Sequence, residues 1–367
     1  MILNPSGPDR PLGYQVMKAK RYIWLWFAAL VAVVAGSCIR LQDPEGDGWT
    51  PLEGDRPVYF SSSLATPATK ANLQTGTSFG VFAYYTKTSN WNSVKTSTTP
   101  NFMYNQEVTY NGSAYTYTPL KYWPNNTGDK VTFWAYYPYT ASPILFKLGT
   151  SNPFDETSKN IPDIRFTVSD GTTDFMVSDL APNKTKPAVA DSVLLTFNHT
   201  LSKISFYVKK IDAAVPEKYT VKLKTIRFDD IYLAATYNNY TSGWADYGNS
   251  RGSVPAFAPD DPDDYLTLTT SFPVEGSPQV VSMLLPQDLS YQYAMLRVEY
   301  TIDFEGLLNT RNMISYIPLS TVIAEASAQW QKGKEYKVNI SITPDDPIEF
   351  SVTWSNWGQV HNIHITS

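Results

Sequence analysis

The sequence is short of the residues on which several protein classes depend. It contains one cysteine and three histidines in 367 residues. A single cysteine excludes an internal disulfide framework and any zinc site built from several cysteines. Three histidines leave little material for hydrolase triads or histidine-rich metal sites. We therefore assign no catalytic residue, no metal ligand and no cofactor, and we do not expect an enzyme.

Charged residues are scarce as well. They make up 17% of the chain, against roughly 25% in an average soluble domain. The 29 Lys and Arg residues are outnumbered by 34 Asp and Glu residues. Since no strong positive field is available for a phosphate backbone, nucleic acid is not an expected partner.

Aromatic residues are abundant instead, with 10 Trp, 25 Tyr and 17 Phe. Apolar and polar side chains alternate in many short segments. In residues 203–209, for example, Ile204, Phe206 and Val208 fall on one face. Alternation with a period of two predicts half-buried strands, and aromatic residues favour them. Because Pro and Gly interrupt the chain often, the pattern predicts an all-β protein of sandwich type.

The N-terminal region has the pattern of an export signal. Lys18, Lys20 and Arg21 precede residues 22–37, which carry no charge. This apolar stretch is shorter than the ~20 residues that span a bilayer. A basic start followed by a short apolar segment predicts a signal peptide over residues 1–37, with Met17 as the better start.

Cys38 is the only cysteine, and it directly follows Ala35-Gly-Ser. This junction resembles the lipobox of bacterial lipoproteins. The resemblance implies that Cys38 becomes the lipidated first residue of the mature chain and anchors it, exposed, to the outer membrane. Several acyl chains give stable anchoring. Residues 38–55, rich in Gly, Pro and acidic residues, are interpreted as the lipidated tether.

A linker-like segment divides the rest of the chain. Residues 180–190 are mostly small and polar and include two prolines. Such composition is typical of a domain boundary. We therefore predict an N-terminal domain over residues 56–187 and a C-terminal domain over residues 188–367.

Several segments carry a family resemblance, among them Tyr122-Trp-Pro124 and the Gly128-Asp-Lys-Val-Thr-Phe-Trp-Ala-Tyr-Tyr-Pro-Tyr139 run. The full set, in chain order behind the lipobox, is residues 102–108, 115–125, 128–139, 174–177, 195–204 and 330–336. Together they resemble the fimbrillin-like proteins of Bacteroidetes, which are subunits of type V pili. The resemblance implies two tandem transthyretin-like or Ig-like β-sandwich domains in a structural fimbrial subunit that supports adhesion.

The resemblance also implies an assembly mechanism. In the family, a trypsin-like protease removes the first strand with its lipid, and a strand from a neighbouring subunit replaces it. Here the first strand would be residues 58–64, and the cleavage candidates are Lys70 and Arg56, where the family's usual residue is Arg. The candidate donor-strand residues are Ile348, Phe350, Val352, Trp354, Ile363 and Ile365. The expected partners are other fimbrial subunits and a host or bacterial surface receptor or glycan.

Other interpretations remain open. The chain is alternatively a surface glycan-binding lipoprotein of the outer membrane, with aromatic side chains that stack on sugars. A secreted hydrolase would need paired carboxylates, and Asp163 and the pair Asp229 and Asp230 are too isolated to assign. A structural role is favoured for His199. Residues 260–264, with four aspartates, are a solvated loop or a cation site, and Asp191-Ser-Val193 resembles an O-glycosylation site.

Overall fold

The computed structural model describes residues 55–64, 74–212, 218–248, 251–306, 310–322, 328–344 and 348–357. Cys38, Lys70, Ile363 and Ile365 lie outside these ranges. From Arg56 onward the chain forms one unit. Within the described ranges, 21 strands form four sheets, and the predicted all-β class is confirmed. In the same ranges, no helix has the length and apolar character needed to cross a bilayer.

The strands are short and follow one another with few helical interruptions. In chain order they are β1 Tyr59–Leu64, β2 Ser78–Tyr85, β3 Met103–Tyr110, β4 Tyr115–Thr116, β5 Val131–Tyr137, β6 Ile144–Lys147, β7 Pro162–Thr167, β8 Met176–Ser178, β9 Ala181–Lys184, β10 Ser192–His199, β11 Ser202–Lys210, β12 Tyr219–Tyr232, β13 Ala234–Asn238, β14 Gly243–Ala245, β15 Arg251–Phe257, β16 Leu266–Thr267, β17 Val280–Leu284, β18 Met295–Phe304, β19 Arg311–Pro318, β20 Lys334–Ile342 and β21 Glu349–Asn356. One turn of α-helix, α1, spans Trp91–Val94, and 3-10 turns span Pro262–Asp264 and Leu319–Thr321.

The first sheet contains mainly the N-terminal strands. Its order is β1-β10-β8-β5-β2-β3-β4, and β9 also pairs with β5. The central strands β2 and β5 are buried on both faces, so their sequences are nearly continuous apolar runs rather than alternating ones. On one face Phe79 and Phe133 pack against β1, and on the other Phe82 and Trp134 join the main core of the molecule.

The C-terminal strands form a two-sheet sandwich. One sheet has the order β17-β11-β20-β21, and the other has the order β15-β12-β18-β19, with β16 paired to β12. The two sheets meet through side chains such as Phe206 and Phe228, whose ring centroids are 5.8 Å apart. Ile204, Phe206 and Val208 are all buried, as the alternation in the sequence predicts.

A fourth sheet joins strands from both halves of the sequence. Its order is β14-β13-β7-β6, and β7 pairs antiparallel with β13. Strand β10 also lies beyond residue 187, yet it pairs within the first sheet. The domain boundary between residues 187 and 188 stays a prediction, and the strand pairing crosses it at two places.

Candidate strand-exchange site

The segment predicted to be the removable first strand corresponds to β1. This strand is hydrogen bonded along its length to β10. The six residues of β1 run parallel to β10, from Tyr59 opposite Ser192 to Leu64 opposite Phe197. Strand β1 is the terminal strand of the first sheet, and within the described ranges β10 is the only strand with which it forms a ladder. Loss of β1 would therefore leave the N–H and C=O groups along one side of β10 unpaired.

The residues that precede β1 are hydrogen bonded to a different segment, residues 121–123. The amide N–H of Val58 donates to the carbonyl oxygen of Lys121 at 2.9 Å, and the N–H of Trp123 donates to the carbonyl oxygen of Arg56 at 2.9 Å. The Tyr117 hydroxyl donates to the carbonyl oxygen of Val58 at 2.8 Å. Burial raises the pKa of Tyr117, so the hydroxyl stays protonated as a donor. The chain is thus held by residues 121–123 just before β1 and by β10 along β1 itself.

The inward side chains of this segment fill an aromatic pocket. Val58 and Phe60 are 0% and 5% exposed. The ring of Phe60 lies 5.5 Å from that of Tyr117, 5.7 Å from that of Phe133 and 6.3 Å from that of Phe79, between ring centroids. Full burial of a phenylalanine side chain contributes about 1.5–3 kcal/mol. Removal of β1 would open this pocket to water.

The serines of β1 also form hydrogen bonds with neighbouring strands. The hydroxyl of Ser62 is hydrogen bonded to that of Tyr115, and the Ser63 hydroxyl donates to Thr196 Oγ1 at 3.2 Å. The Ser192 hydroxyl donates to Ser61 Oγ at 3.0 Å. Because Ser192 lies partly buried in the β1–β10 ladder, the suggested glycosylation motif at Asp191-Ser-Val193 coincides with the strand interface.

Arg56 is tied into the same interface. Its guanidinium donates to the carbonyl oxygen of Pro187, and its own carbonyl oxygen accepts from Trp123. A cut after Arg56 would leave all of β1 on the C-terminal product. Lys70 follows β1 in the sequence and lies outside the described residues. Both cleavage sites stay predictions.

The first four predicted donor residues lie in or beside the final described strand. Phe350, Val352 and Trp354 belong to β21, which Ile348 directly precedes. Strand β21 pairs antiparallel with β20 of its own sheet, from Glu349 opposite Ser341 onward. It is the terminal strand of that sheet. Their role as donor residues stays a prediction, as does that of Ile363 and Ile365.

The end of β21 is fastened to the end of β10. The Trp357 ring stacks on the His199 ring with a centroid distance of 3.8 Å and an interplanar angle of 12°. His199 Nδ1 lies 2.7 Å from Asp174 Oδ2. The backbone N–H of Trp357 donates to the Gly333 carbonyl oxygen at 2.8 Å. This contact fixes the point from which residues 358–367 continue. It gives His199 a structural contact.

Asp163 is a buried carboxylate, but all its contacts are structural. It is 1% exposed. It accepts hydrogen bonds from the Gly149 N–H at 2.7 Å, the Asn239 N–H at 2.8 Å and Asn238 Nδ2 at 3.1 Å. Burial raises the pKa of Asp163. The side chain therefore joins the turn after β6 to the turn after β13, and it is not presented to a substrate.

The acidic run at residues 260–264 forms a capped turn. The Asp261 side chain accepts from the Asp263 N–H at 2.9 Å and so caps the 3-10 turn at Pro262–Asp264. Over the described ranges, no group of three or more His, Cys, Asp or Glu side chains is arranged to hold a metal ion.

Comparison with known proteins places the chain in a family. The family model described as fimbrillin-like matches residues 66–357, which is most of the chain. The chain therefore belongs to the fimbrillin-like family. The resemblance inferred from the aromatic segments is thereby confirmed.

One curated relative and two solved structures illustrate the similarity. The fimbrium subunit Fim1C of Phocaeicola vulgatus is 30% identical over 193 residues, which are 49% of this chain and 50% of the relative. The chain thus matches about half the length of this relative. A fimbrial protein from Bacteroides vulgatus has a TM-score of 0.53 at 21% identity, covering 82% of this chain and 99% of its own. A putative cell adhesion protein from Bacteroides uniformis has a TM-score of 0.53 at 17% identity, covering 84% and 99%. These two structures share the fold.

Proposed function

We propose that the chain is a structural subunit of a cell-surface fimbria and polymerises by strand exchange at the β1 position. The observation that carries the proposal is the seating of the β1 segment. Strand β1 is paired with β10, the residues that precede it are hydrogen bonded to residues 121–123, and Phe60 fills an aromatic pocket. A groove vacated by such a segment needs a donor that supplies both main-chain hydrogen bonds and apolar side chains.

The donor that we favour is the segment after Trp357. Strand β21 is engaged with β20 along its whole length, and its release would open the edge of its own sheet. Residues 361–367 contain Ile363 and Ile365, and every other residue in this range is polar. This alternation suits a strand with one buried face. A segment of about seven residues is roughly 23 Å long when extended, which matches the length of residues 58–64.

A head-to-tail contact of this kind propagates. The groove of one subunit takes the tail of the next, so the two surfaces in contact differ and the assembly grows as a fibre rather than closing as a dimer. We further propose that Cys38 carries lipid and holds the unprocessed chain at the outer membrane. Cleavage after Lys70 would release the lipid and β1 together.

Replacing Lys70 with glutamine is expected to block assembly, because β1 would then remain in its groove. The measurement is limited treatment of the uncleaved chain with trypsin, followed by N-terminal sequencing and electrophoresis without boiling. The unsubstituted chain should acquire a new terminus at Ala71 and form high-mass ladders. The matched control is Lys87→Gln, a charge loss on an exposed turn outside the groove. Ladders formed equally by Lys70→Gln and Lys87→Gln would overturn the proposed processing site.

A further inference from the structure

A cavity of about 460 Å³ lies away from β1, where the first sheet meets the β13–β14 hairpin. Its buried lining includes Trp134 of β5, Val177 of β8 and Tyr237 of β13. Its exposed lining includes Asp179 and Lys332. Parts of the chain far apart in sequence thus converge on one space. More than half of the lining residues are polar, which suits a ligand with many hydroxyl groups. The volume falls in the usual range of about 300–1,000 Å³ for small-molecule sites.

The acidic group at the rim is the Asp179 carboxylate, which is held by one hydrogen bond and can accept others. Asp179 Oδ1 accepts a hydrogen bond from Asn198 Nδ2 at 2.9 Å. Asp179 Oδ2 has no hydrogen-bond partner in the part of the chain that the structure describes. A carboxylate oxygen accepts up to two hydrogen bonds. Asp179 is thus positioned by Asn198 and keeps one oxygen for a ligand donor.

The basic side of the rim is a single lysine held near an aromatic ring. Lys332 Nζ donates to the Ser242 carbonyl oxygen and lies 5.7 Å from the centroid of the Tyr237 ring. It forms no ion pair with any described residue. An ammonium group has three N–H donors, so two of them are left for a ligand. Partial burial of the ammonium group lowers the pKa of Lys332.

We propose that this cavity binds a neutral saccharide of one or two rings. Sugar hydroxyls both donate and accept, so one ligand can donate to Asp179 and accept from Lys332. One negative and one positive group on the rim balance each other and do not favour a charged ligand. The C–H face of a pyranose ring is apolar and suits the aromatic and aliphatic floor at Trp134 and Val177.

Hydrogen bonds hold the wall of the cavity beside the lysine. Asn239 also lines the cavity. Its N–H is bonded to Asp163, and its Nδ2 donates to the Pro162 carbonyl oxygen. The site shares no residue with the β1 groove, so it goes beyond the strand-exchange proposal. Repeated along a fibre, even a weak site would gain avidity from multivalency.

The test uses the uncleaved chain on a printed array of neutral and sialylated oligosaccharides, followed by isothermal titration calorimetry with the neutral glycan of strongest signal. We expect binding to at least one neutral glycan. Asp179→Ala is expected to weaken it by about tenfold or more, and Lys332→Met by about threefold or more, since each removes a polar partner of a buried ligand group. Both side chains are exposed, so the thermal unfolding of the variants should match that of the parent.

The matched control is Tyr293→Ala, which removes an exposed aromatic ring that does not line the cavity. Its affinity should stay within about twofold of the parent. The proposal is overturned if no neutral glycan binds. It is also overturned if neither Asp179→Ala nor Lys332→Met changes the affinity, or if the array shows only sialylated ligands whose binding depends on Lys332 alone.

Discussion

Replacing Phe60 with alanine is expected to lower the free energy of unfolding of the uncleaved chain by about 3–5 kcal/mol. The reason is that Phe60 is almost fully buried and contacts the rings of Phe79, Tyr117 and Phe133. Truncation leaves a cavity that these rings cannot close. The measurement is equilibrium urea unfolding of the parent and the variant, compared at equal slope.

The control for this substitution is the neighbouring residue on the opposite face of the strand. Tyr59 is 45% exposed, so Tyr59→Ala should change the free energy of unfolding by no more than about 0.5 kcal/mol. If Phe60→Ala and Tyr59→Ala have equal effects, β1 does not fill an apolar groove, and the proposed acceptor site fails.

Replacing Ile363 and Ile365 together with serine is expected to abolish ladder formation after proteolytic processing. Burial of each isoleucine side chain in a vacated groove would contribute about 1.5–3 kcal/mol. Their joint loss weakens each subunit contact by about two to four orders of magnitude. Polymers are scored by electrophoresis without boiling.

The matched control replaces two polar residues of the same segment. Asn362 and His364 fall on the other face of an extended strand, so Asn362→Ser with His364→Ser should leave the ladders intact. The stability of the uncleaved monomer should be equal in both variants. If the two double variants assemble equally well, residues 358–367 are not the donor, and β21 with Phe350 and Trp354 becomes the segment to test.

Local pattern was sufficient to predict that this chain is built mainly of strands. The alternation of Ile204, Phe206 and Val208 gives one buried face of β11, as the structure shows. Trp123 is buried as well, with its ring centroid 5.9 Å from that of Phe133. Such features depend on the period of the sequence and on side-chain size, both of which can be read directly.

Pairing between distant segments could not be predicted in the same way. Strand β10 has the alternation of an ordinary strand, and nothing local shows that it runs parallel to β1 rather than opening the next domain. For that reason the linker-like composition around Pro182 and Pro187 favours a boundary that three strand pairings cross. The stacking of His199 on Trp357 has no sequence signal either, because it depends on where two strands end.

The proposed saccharide cavity could not be predicted from the sequence either, because it depends on contacts between distant segments. Trp134, Asp179, Tyr237 and Lys332 are separated by up to about two hundred positions in the sequence, and none forms a motif with another. Asp179 and Lys332 look like ordinary solvated charges. Only the packing of the first sheet against the β13–β14 hairpin brings them to one rim.

The central claim is that the tail of one subunit lies beside β10 of the next. Engineered cysteines test it directly, because Cys38 is the only native cysteine and would be removed by cleavage after Lys70. Leu194 lies opposite Ser61 in the β1–β10 ladder and is 47% exposed. A chain with Leu194→Cys and either Asn362→Cys or His364→Cys should form disulfide-linked ladders after processing, because paired cysteines must approach within about 4 Å between Cβ atoms.

The matched control places the first cysteine at Tyr316, an exposed position on β19. It should give no ladders with the same tail positions. The measurement is non-reducing electrophoresis of the processed chain after mild oxidation, with mass spectrometry of the linked peptides. Intermolecular linkage of position 194 to position 362 or 364 is the predicted result. Absence of that linkage while processed polymers still form would contradict strand exchange at β10.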